Sequence, residues 1–180
     1  MSARFECNGN LQERQAAAIL QPFVEVCYQS FLNAGLDRLE DMVIRVTGKA
    51  HDQERHFAAA STDGNLILLA PQLIELPTET ASGIIAHEFG HAADFSYPAQ
   101  WVKTAGGKMK LADISRQGSR ADDAFPKEWL RDWRARDDDA IERSADAIAE
   151  SVLGRRIGYS GSCMLQTIGR GVRPRPEGLR

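Results

Sequence analysis

Residues 77–95 read PTETASGIIAHEFGHAADF, and this stretch carries the strongest fold signal in the chain. Pro77 precedes Thr78, which can cap a helix that starts there. The apolar residues recur at the three- and four-residue steps of a helix and share one side of it: Ile84, Ile85, Phe89 and Ala92. We therefore predict an amphipathic helix from about residue 79 to residue 95, capped by Thr78.

Inside this predicted helix, His87-Glu88-Phe89-Gly90-His91 has the pattern HExxH. Residues four apart project from one face of a helix, so both imidazoles can reach one metal ion, and neutral imidazole is a good zinc ligand. Glu88, about one-third of a turn away, can hold and deprotonate a metal-bound water. Gly90 has no side chain and allows another element to approach closely. The pattern predicts one zinc ion per chain, with Glu88 as general base.

A hydrolytic zinc site usually takes three protein ligands and leaves one position for water. His51 and His56 lie upstream, in the region of the predicted strands, and no histidine follows His91. The absence of a later histidine excludes the metzincin pattern HExxHxxGxxH. A downstream carboxylate therefore remains as the third ligand.

Two carboxylates, Glu142 and Asp146, share a face of a predicted helix that runs from about residue 139 to residue 153 and ends at Gly154. Either acid could reach a metal ion if the helix rotates slightly. Glu142 can ligate the ion, while Asp146 can accept a hydrogen bond from the outer nitrogen of a ligand histidine such as His87. The competing interpretation is a solvated acidic face.

The remaining segments predict an α+β fold. Asn10 can cap a helix over residues 11–32. Three short strands are predicted, at residues 42–46, 56–60 and 65–69, the last introduced by the turn pair Asp63-Gly64. Residues 96–137 give mixed signals, with a short amphipathic helix carrying Trp129 and Trp133.

The two motifs together resemble those of gluzincin metallopeptidases. Residues 77–94 look like the active-site helix of these enzymes, and Glu142-Arg143-Ser144-Ala145-Asp146 resembles their ExxAD motif. The nearest likenesses are the minimal gluzincins and the M48-like and ImmA/IrrE-like peptidases. Residues 66–71 also resemble the edge strand on which such enzymes bind peptide. The resemblance implies a zincin-like single domain and covers roughly residues 40–95 and 138–155.

The resemblance also implies a mechanism and a ligand order. Zinc would polarise the scissile carbonyl, and Glu88 would pass a proton from the bound water to the leaving amine. The first acid of ExxAD would face the metal, which makes Glu142 the direct ligand and Asp146 its outer partner. A donor for the oxyanion is not fixed by the motifs. Three residues are candidates, in this order: Tyr159, Tyr97 and His56.

The amino-acid composition limits the class of protein to which the chain can belong. Of 180 residues, 43% are apolar and 26% are charged, as is ordinary for a globular protein with one core. There is no apolar run long enough for a membrane span and no apolar N-terminal stretch typical of a secretory signal. We therefore expect a cytoplasmic protein without a membrane partner. Three cysteines (Cys7, Cys27 and Cys163) cannot all pair within one chain, so we expect reduced thiols.

The C-terminal segment differs in charge from the rest of the chain. Residues 154–180 contain six arginines and one glutamate, although the net charge of the chain is −3. We expect residues 1–154 to form one domain and residues 155–180 to be a basic extension that packs on it. The extension has no nucleic-acid motif, so we do not expect nucleic acid as a partner. Cys163 could reach an open zinc position, but a small buried thiol is the simpler interpretation.

Two classes of function fit these motifs. The first is hydrolysis of a peptide or protein, including the case of a dedicated processing enzyme with a single target. The second is a non-enzymatic binding, regulatory or structural protein that retains the zinc-binding fold. Glu88 favours the first, because a purely structural site has no need of a base.

Overall fold

The computed structural model describes residues 4–7, 9–48, 57–111 and 127–157. They form one small domain of mixed α and β structure, which confirms the predicted α+β class. The finer assignment to a zincin-like fold stays a prediction. The basic extension also stays a prediction, because residues 158–180 lie outside the described ranges. His51 and His56 lie outside these ranges too. None of the helices in the described ranges combines the length and apolar character that a bilayer crossing requires.

The first helix, α1, spans Leu11–Asn33 and begins as the sequence predicts. The backbone N–H of Glu13 donates to Asn10 Oδ1 at 3.0 Å, and the N–H of Asn10 donates to Glu13 Oε2 at 3.0 Å. This reciprocal capping box satisfies donors that the first turn would otherwise leave unpaired. The buried face of α1 carries seven residues: Ala16, Ala17, Leu20, Val24, Cys27, Tyr28 and Phe31.

Four strands form one sheet: β1 (Arg4–Glu6), β2 (Val43–Val46), β3 (Ala58–Ala60) and β4 (Leu66–Leu69). Their order in the sheet is β1-β2-β4-β3. The first three strands in this order run parallel, and β3 pairs antiparallel with β4. Alternate residues of β2 and β4 are buried on one face: Ile44, Val46, Ile67 and Leu69. The predicted strands are therefore present, and β1 is an addition.

The predicted edge strand is wrong. β4 lies inside the sheet, with β2 on one side and β3 on the other, so its backbone has no free edge. Its apolar sequence, Leu66–Leu69, is the reason: a strand paired on both sides and packed under helices needs no polar face. In the described sheet, β3 and β1 form the two edges.

The central helix, α2, spans Thr78–Ser96 and contains the HExxH pattern. Every residue from position 83 to position 94 is buried, so this part of the helix is enclosed on all sides rather than amphipathic as predicted, and only the first turn is exposed. Its N-cap is Pro77 rather than Thr78, because the carbonyl of Pro77 accepts the first helical hydrogen bond, from the N–H of Ala81 at 3.0 Å. Helix α1 and the strands β3 and β4 pack against α2.

Four further elements follow α2. β5 (Trp101–Lys103) and β6 (Met109–Leu111) form a hairpin that the sequence did not predict, and α3 spans Lys127–Arg134. The last helix, α4, spans Asp138–Leu153; the side chain of Asp137 accepts a hydrogen bond from the N–H of Ala140 at 2.8 Å. It ends at Gly154, whose φ of 66° lies in the left-handed region that glycine tolerates. Helix α4 packs against α2.

Gly90 allows α2 and α4 to approach closely. A Cβ atom built on Gly90 would overlap the carbonyl oxygen of Ala145 and lie 2.8 Å from its carbonyl carbon. Both atoms belong to the backbone of α4 and cannot rotate away. This close approach brings the side chains of the two helices within reach of each other.

We expect Gly90→Ala to lower the free energy of unfolding by roughly 1–3 kcal/mol, as overpacking of a close contact usually does. The helices must separate to admit the methyl group, so metal affinity should fall as well. Urea unfolding of the metal-free protein measures the first effect. Gly106→Ala is the matched control, because the nearest atom to its new Cβ would be Thr104 Oγ1 at 3.9 Å. Equal stability of the two variants would contradict the close-packing argument.

Candidate metal centre

Two helices supply the site. His87, Glu88 and His91 project from α2, and Glu142 and Asp146 project from α4. The structure thus brings together residues about fifty positions apart in the chain. His87, Glu88 and His91 are all buried, which is unusual for polar side chains unless partners satisfy them.

The three expected ligands lie around one point. His87 Nε2 is 2.8 Å from Glu142 Oε2, and His91 Nε2 is 3.5 Å from Glu142 Oε1. One ligand atom from each of the three residues lies within 4.8 Å of the others. Two ligands of a tetrahedral zinc ion, each about 2.1 Å from it, lie about 3.4 Å apart. The observed spacing therefore suits a metal ion of this size.

Asp146 contacts the opposite side of the His87 ring. Its Oδ1 atom lies 2.7 Å from His87 Nδ1, while Nε2 of the same ring faces Glu142. A carboxylate at Nδ1 fixes the orientation of the ring and the nitrogen that carries the proton. The sequence expectation that Asp146 contacts the outer nitrogen of His87 agrees with this geometry.

Carboxylates surround His87 and favour a positive charge in the site. Burial alone would lower the pKa of His87, but hydrogen bonds to Asp146 and Glu142 and the charge of Glu88 raise that pKa to about 10. Burial would raise the pKa of Glu142, but hydrogen bonds to His87 and His91 hold it well below its usual range. A positive charge thus stabilises the cluster, and a metal ion that binds His87 must displace a proton.

His91 is held by ring contacts. Its ring stacks on Phe95, with centroids 5.7 Å apart and planes 13° apart, and it meets the edge of the His87 ring. Its Nδ1 atom is buried and has no hydrogen-bond partner among the described residues. The other ring nitrogen, Nε2, faces Glu142 and is therefore the one placed to ligate a cation together with it. The three donors, one carboxylate and two imidazoles, are a set typical of zinc.

Glu88 lies beside this cluster. It follows His87 on α2, is only 7% exposed, and is close enough for its charge to raise the pKa of His87. Helical geometry turns it by about 100° from His87, so it does not share the face of the two histidines. It is therefore adjacent to the three expected ligands without being one of them.

Tyr97 is one of the three candidate oxyanion donors, but its hydroxyl forms hydrogen bonds with Asp37 and Arg38 instead. Its hydroxyl donates to Asp37 Oδ1 at 2.7 Å and accepts the backbone N–H of Arg38 at 2.9 Å. Burial is the main reason why the pKa of Tyr97 is raised. These contacts tie the end of α2 to the short 3-10 helix Asp37–Leu39, so the structure gives Tyr97 a packing role. The other two candidates, Tyr159 and His56, lie outside the described residues, as does Cys163.

The sequence reasoning missed a polar cluster at the far end of α2. Asp94 accepts hydrogen bonds from Arg136 and from the indole of Trp133. One signal was available: Asp94 follows His91 by three residues and so lies on the same side of the helix. Nothing in the local sequence pointed to Arg136.

No protein-family model, no curated protein and no solved structure matches this chain. The interpretation of the site therefore rests on the chemistry and geometry of its own residues.

Proposed function

We propose that the protein is a zinc-dependent peptidase. The observation that carries the proposal is the pairing of a three-ligand cluster, His87, His91 and Glu142, with a buried carboxylate, Glu88, that is not needed as a ligand. Three protein ligands leave one position of a tetrahedral ion for water, as in hydrolytic zinc sites. A site with a purely structural role would be closed by four ligands and would not need an adjacent base.

Each residue would have a distinct role in hydrolysis. Zinc bound by the three ligands would supply Lewis-acid polarisation of the scissile carbonyl and lower the pKa of a bound water. Glu88 would accept the proton of that water and donate it to the leaving amine. Asp146 would keep His87 oriented through the contact at Nδ1. Burial of Glu88 and the histidines keeps bulk water away, which strengthens these interactions.

Among the described strands, one edge of the sheet lies near this helix, where an extended peptide could bind. β3 is an edge strand and packs against α2, whereas β4 has no free edge. An extended substrate could add to β3 through backbone hydrogen bonds. We therefore assign peptide binding to Ala58–Ala60 rather than to Leu66–Leu69. Backbone recognition of this kind fits a peptide better than it fits a small molecule.

The test combines metal analysis with a cleavage assay. The purified chain should contain about one zinc ion and cleave members of a peptide library, losing activity with a chelator and regaining it when zinc is restored. A His87→Ala, His91→Ala double variant should lose both the metal and the activity. His51→Ala removes a histidine outside the HExxH pattern and serves as the control.

Two outcomes would contradict the proposal in different ways. Full zinc occupancy in the double variant would show that the metal binds elsewhere. Zinc that depends on both histidines, in a chain that cleaves no library peptide, would instead favour the binding or regulatory alternative.

A further inference from the structure

The polar cluster of Asp94, Trp133 and Arg136 joins the end of α2 to the segment that leads into α4. Asp94 Oδ2 accepts from Arg136 Nη1 at 2.6 Å, and Asp94 Oδ1 accepts from Trp133 Nε1 at 3.0 Å. Both carboxylate oxygens are therefore engaged, and the Asp94 side chain is only 1% exposed. An ionised carboxylate so deeply buried needs these partners, because it has lost its hydration.

Arg136 is itself fixed from several directions. Its guanidinium lies 4.8 Å from the centre of the Trp133 ring, and its Nε donates to the backbone carbonyl of Trp133 at 3.0 Å. Its side chain is 17% exposed. Planar stacking, an ion pair and a backbone contact leave the Arg136 side chain little freedom.

The cluster lies next to the start of the helix that carries Glu142. Arg136 immediately precedes Asp137, the N-cap of α4. Glu142 lies about one turn into that helix, roughly 6 Å along its axis from the first helical residue, Asp138. An α-helix is stiff over a single turn, so a displacement of its first turn also displaces the residues one turn later. The position of residue 136 therefore sets where the Glu142 carboxylate stands relative to α2.

Contacts on both sides of Glu142 join α4 and the residue before its N-cap to α2. Beyond Glu142 along α4 lie the backbone contact of Ala145 with Gly90 and the Asp146 contact with His87. On the near side is the ion pair of Arg136 with Asp94. Without the near contact, the start of α4 would lose the ion pair that joins it to α2, and its first turn would be freer to move away from the histidines.

A second connection runs through aromatic rings. The ring of Phe95 stacks on His91 and meets the ring of Trp133 edge-on, at a centroid distance of 6.4 Å. Trp133 thus contacts both Asp94 and the residue that supports His91. Displacement of Trp133 would disturb both helices that supply the ligands.

We infer that Asp94, Trp133 and Arg136 are positioning residues that hold Glu142 in place to bind the metal together with His87 and His91. This inference rests on the metal site of the proposed function but not on its peptidase activity. None of the three residues is expected to contact the metal or the substrate. Their contribution is to the geometry of a ligand on another helix.

The test measures metal affinity and ligand geometry in the folded protein. Arg136→Gln removes the ion pair with Asp94, and Arg143→Gln is the matched control, because it removes an exposed ion pair with Asp139 on α4 itself. Zinc and cobalt affinities come from competition with a chromophoric chelator, and the visible spectrum of bound Co²⁺ reports the ligand geometry. We expect Arg136→Gln to bind both ions about tenfold more weakly or worse and to shift the cobalt spectrum, while Arg143→Gln matches the wild type.

Rescue and folding controls separate positioning from general destabilisation. Arg136→Lys retains the charge near Asp94 and should recover part of the affinity. If Arg136→Gln does not fold, Trp133→Phe, which removes only the indole N–H, should show a smaller loss of affinity in the same direction. Wild-type affinity and an unchanged cobalt spectrum in whichever of these two variants folds would overturn the inference.

The outcomes also distinguish this inference from the proposed activity. A wild-type chain that binds neither ion overturns the metal site and the positioning role together. A chain that binds zinc with these dependences but cleaves no peptide contradicts only the peptidase proposal.

Discussion

Glu88→Gln should abolish peptide hydrolysis while the protein keeps its zinc. Glutamine has the shape of glutamate but cannot accept the proton of a metal-bound water, and loss of a general base typically costs about 10²–10⁴ in rate. In the proposed mechanism Glu88 would also position the water, so the loss should lie at the upper end of this range. The zinc affinity of the variant should equal that of the wild type, because Glu88 lies beside the three expected ligands and is not one of them.

The measurement pairs kcat on a cleaved library peptide with zinc content by elemental analysis. Glu79→Gln is the control, because it removes an exposed carboxylate from the first turn of the same helix. It should leave both quantities unchanged. Equal turnover by wild type and Glu88→Gln would show that another group is the base. Loss of zinc from Glu88→Gln would place Glu88 among the ligands instead.

The parts of the site that could be predicted from the sequence are those that depend on helical geometry within one element. His87 and His91 lie four apart, so any helix there places them on one face, and Glu88 falls beside them. The relation of Asp146 to His87 involves two helices, so the shared face of Glu142 and Asp146 could suggest it, as the ExxAD resemblance also did, but could not fix it. The close approach of α4 to α2, which brings Glu142 near the histidines, depends on the absence of a side chain at Gly90.

The features that could not be predicted depend on pairing between distant segments. The sequence of β4 indicates a buried strand but does not say which strands flank it, and residues 58–60 and 43–46 become its neighbours only in the folded sheet. The short hairpin of β5 and β6 has weak local signals, with pairs such as Trp101 opposite Leu111. The Arg136 contact with Asp94 joins residues 42 positions apart, and no local sequence pattern indicates it.

Glu142→Ala should nearly eliminate zinc binding, whereas Asp146→Asn should retain zinc at micromolar metal. Glu142 has an oxygen within 2.8 Å of His87 Nε2 and another within 3.5 Å of His91 Nε2, so it faces both histidine nitrogens that would bind the ion. Its removal deletes a bond and a compensating negative charge. Asp146 instead contacts His87 Nδ1, on the far side of the ring.

The two losses differ in kind and therefore in size. Asparagine at position 146 can still accept a hydrogen bond from His87 Nδ1–H but no longer carries a charge, and loss of such an outer partner typically costs about 10–100-fold in affinity or activity. Loss of a direct ligand should cost far more. Alanine at position 146 would also remove a packed side chain, so asparagine is the cleaner change. Asp139→Asn removes an exposed carboxylate of α4 and should bind zinc as the wild type does.

Competition with a chromophoric chelator gives the affinity of all three variants on one scale. We expect the zinc affinity to be highest in Asp139→Asn, lower in Asp146→Asn and lowest in Glu142→Ala. The largest difference should separate Asp146→Asn from Glu142→Ala. A Glu142→Ala protein with wild-type affinity, beside an Asp146→Asn protein that loses its metal, would reverse the assignment. Asp146 would then be the third ligand, and α4 would have to turn in the metal-bound protein so that Asp146 leaves His87 Nδ1 and approaches Nε2, because the two nitrogens lie on opposite sides of the ring.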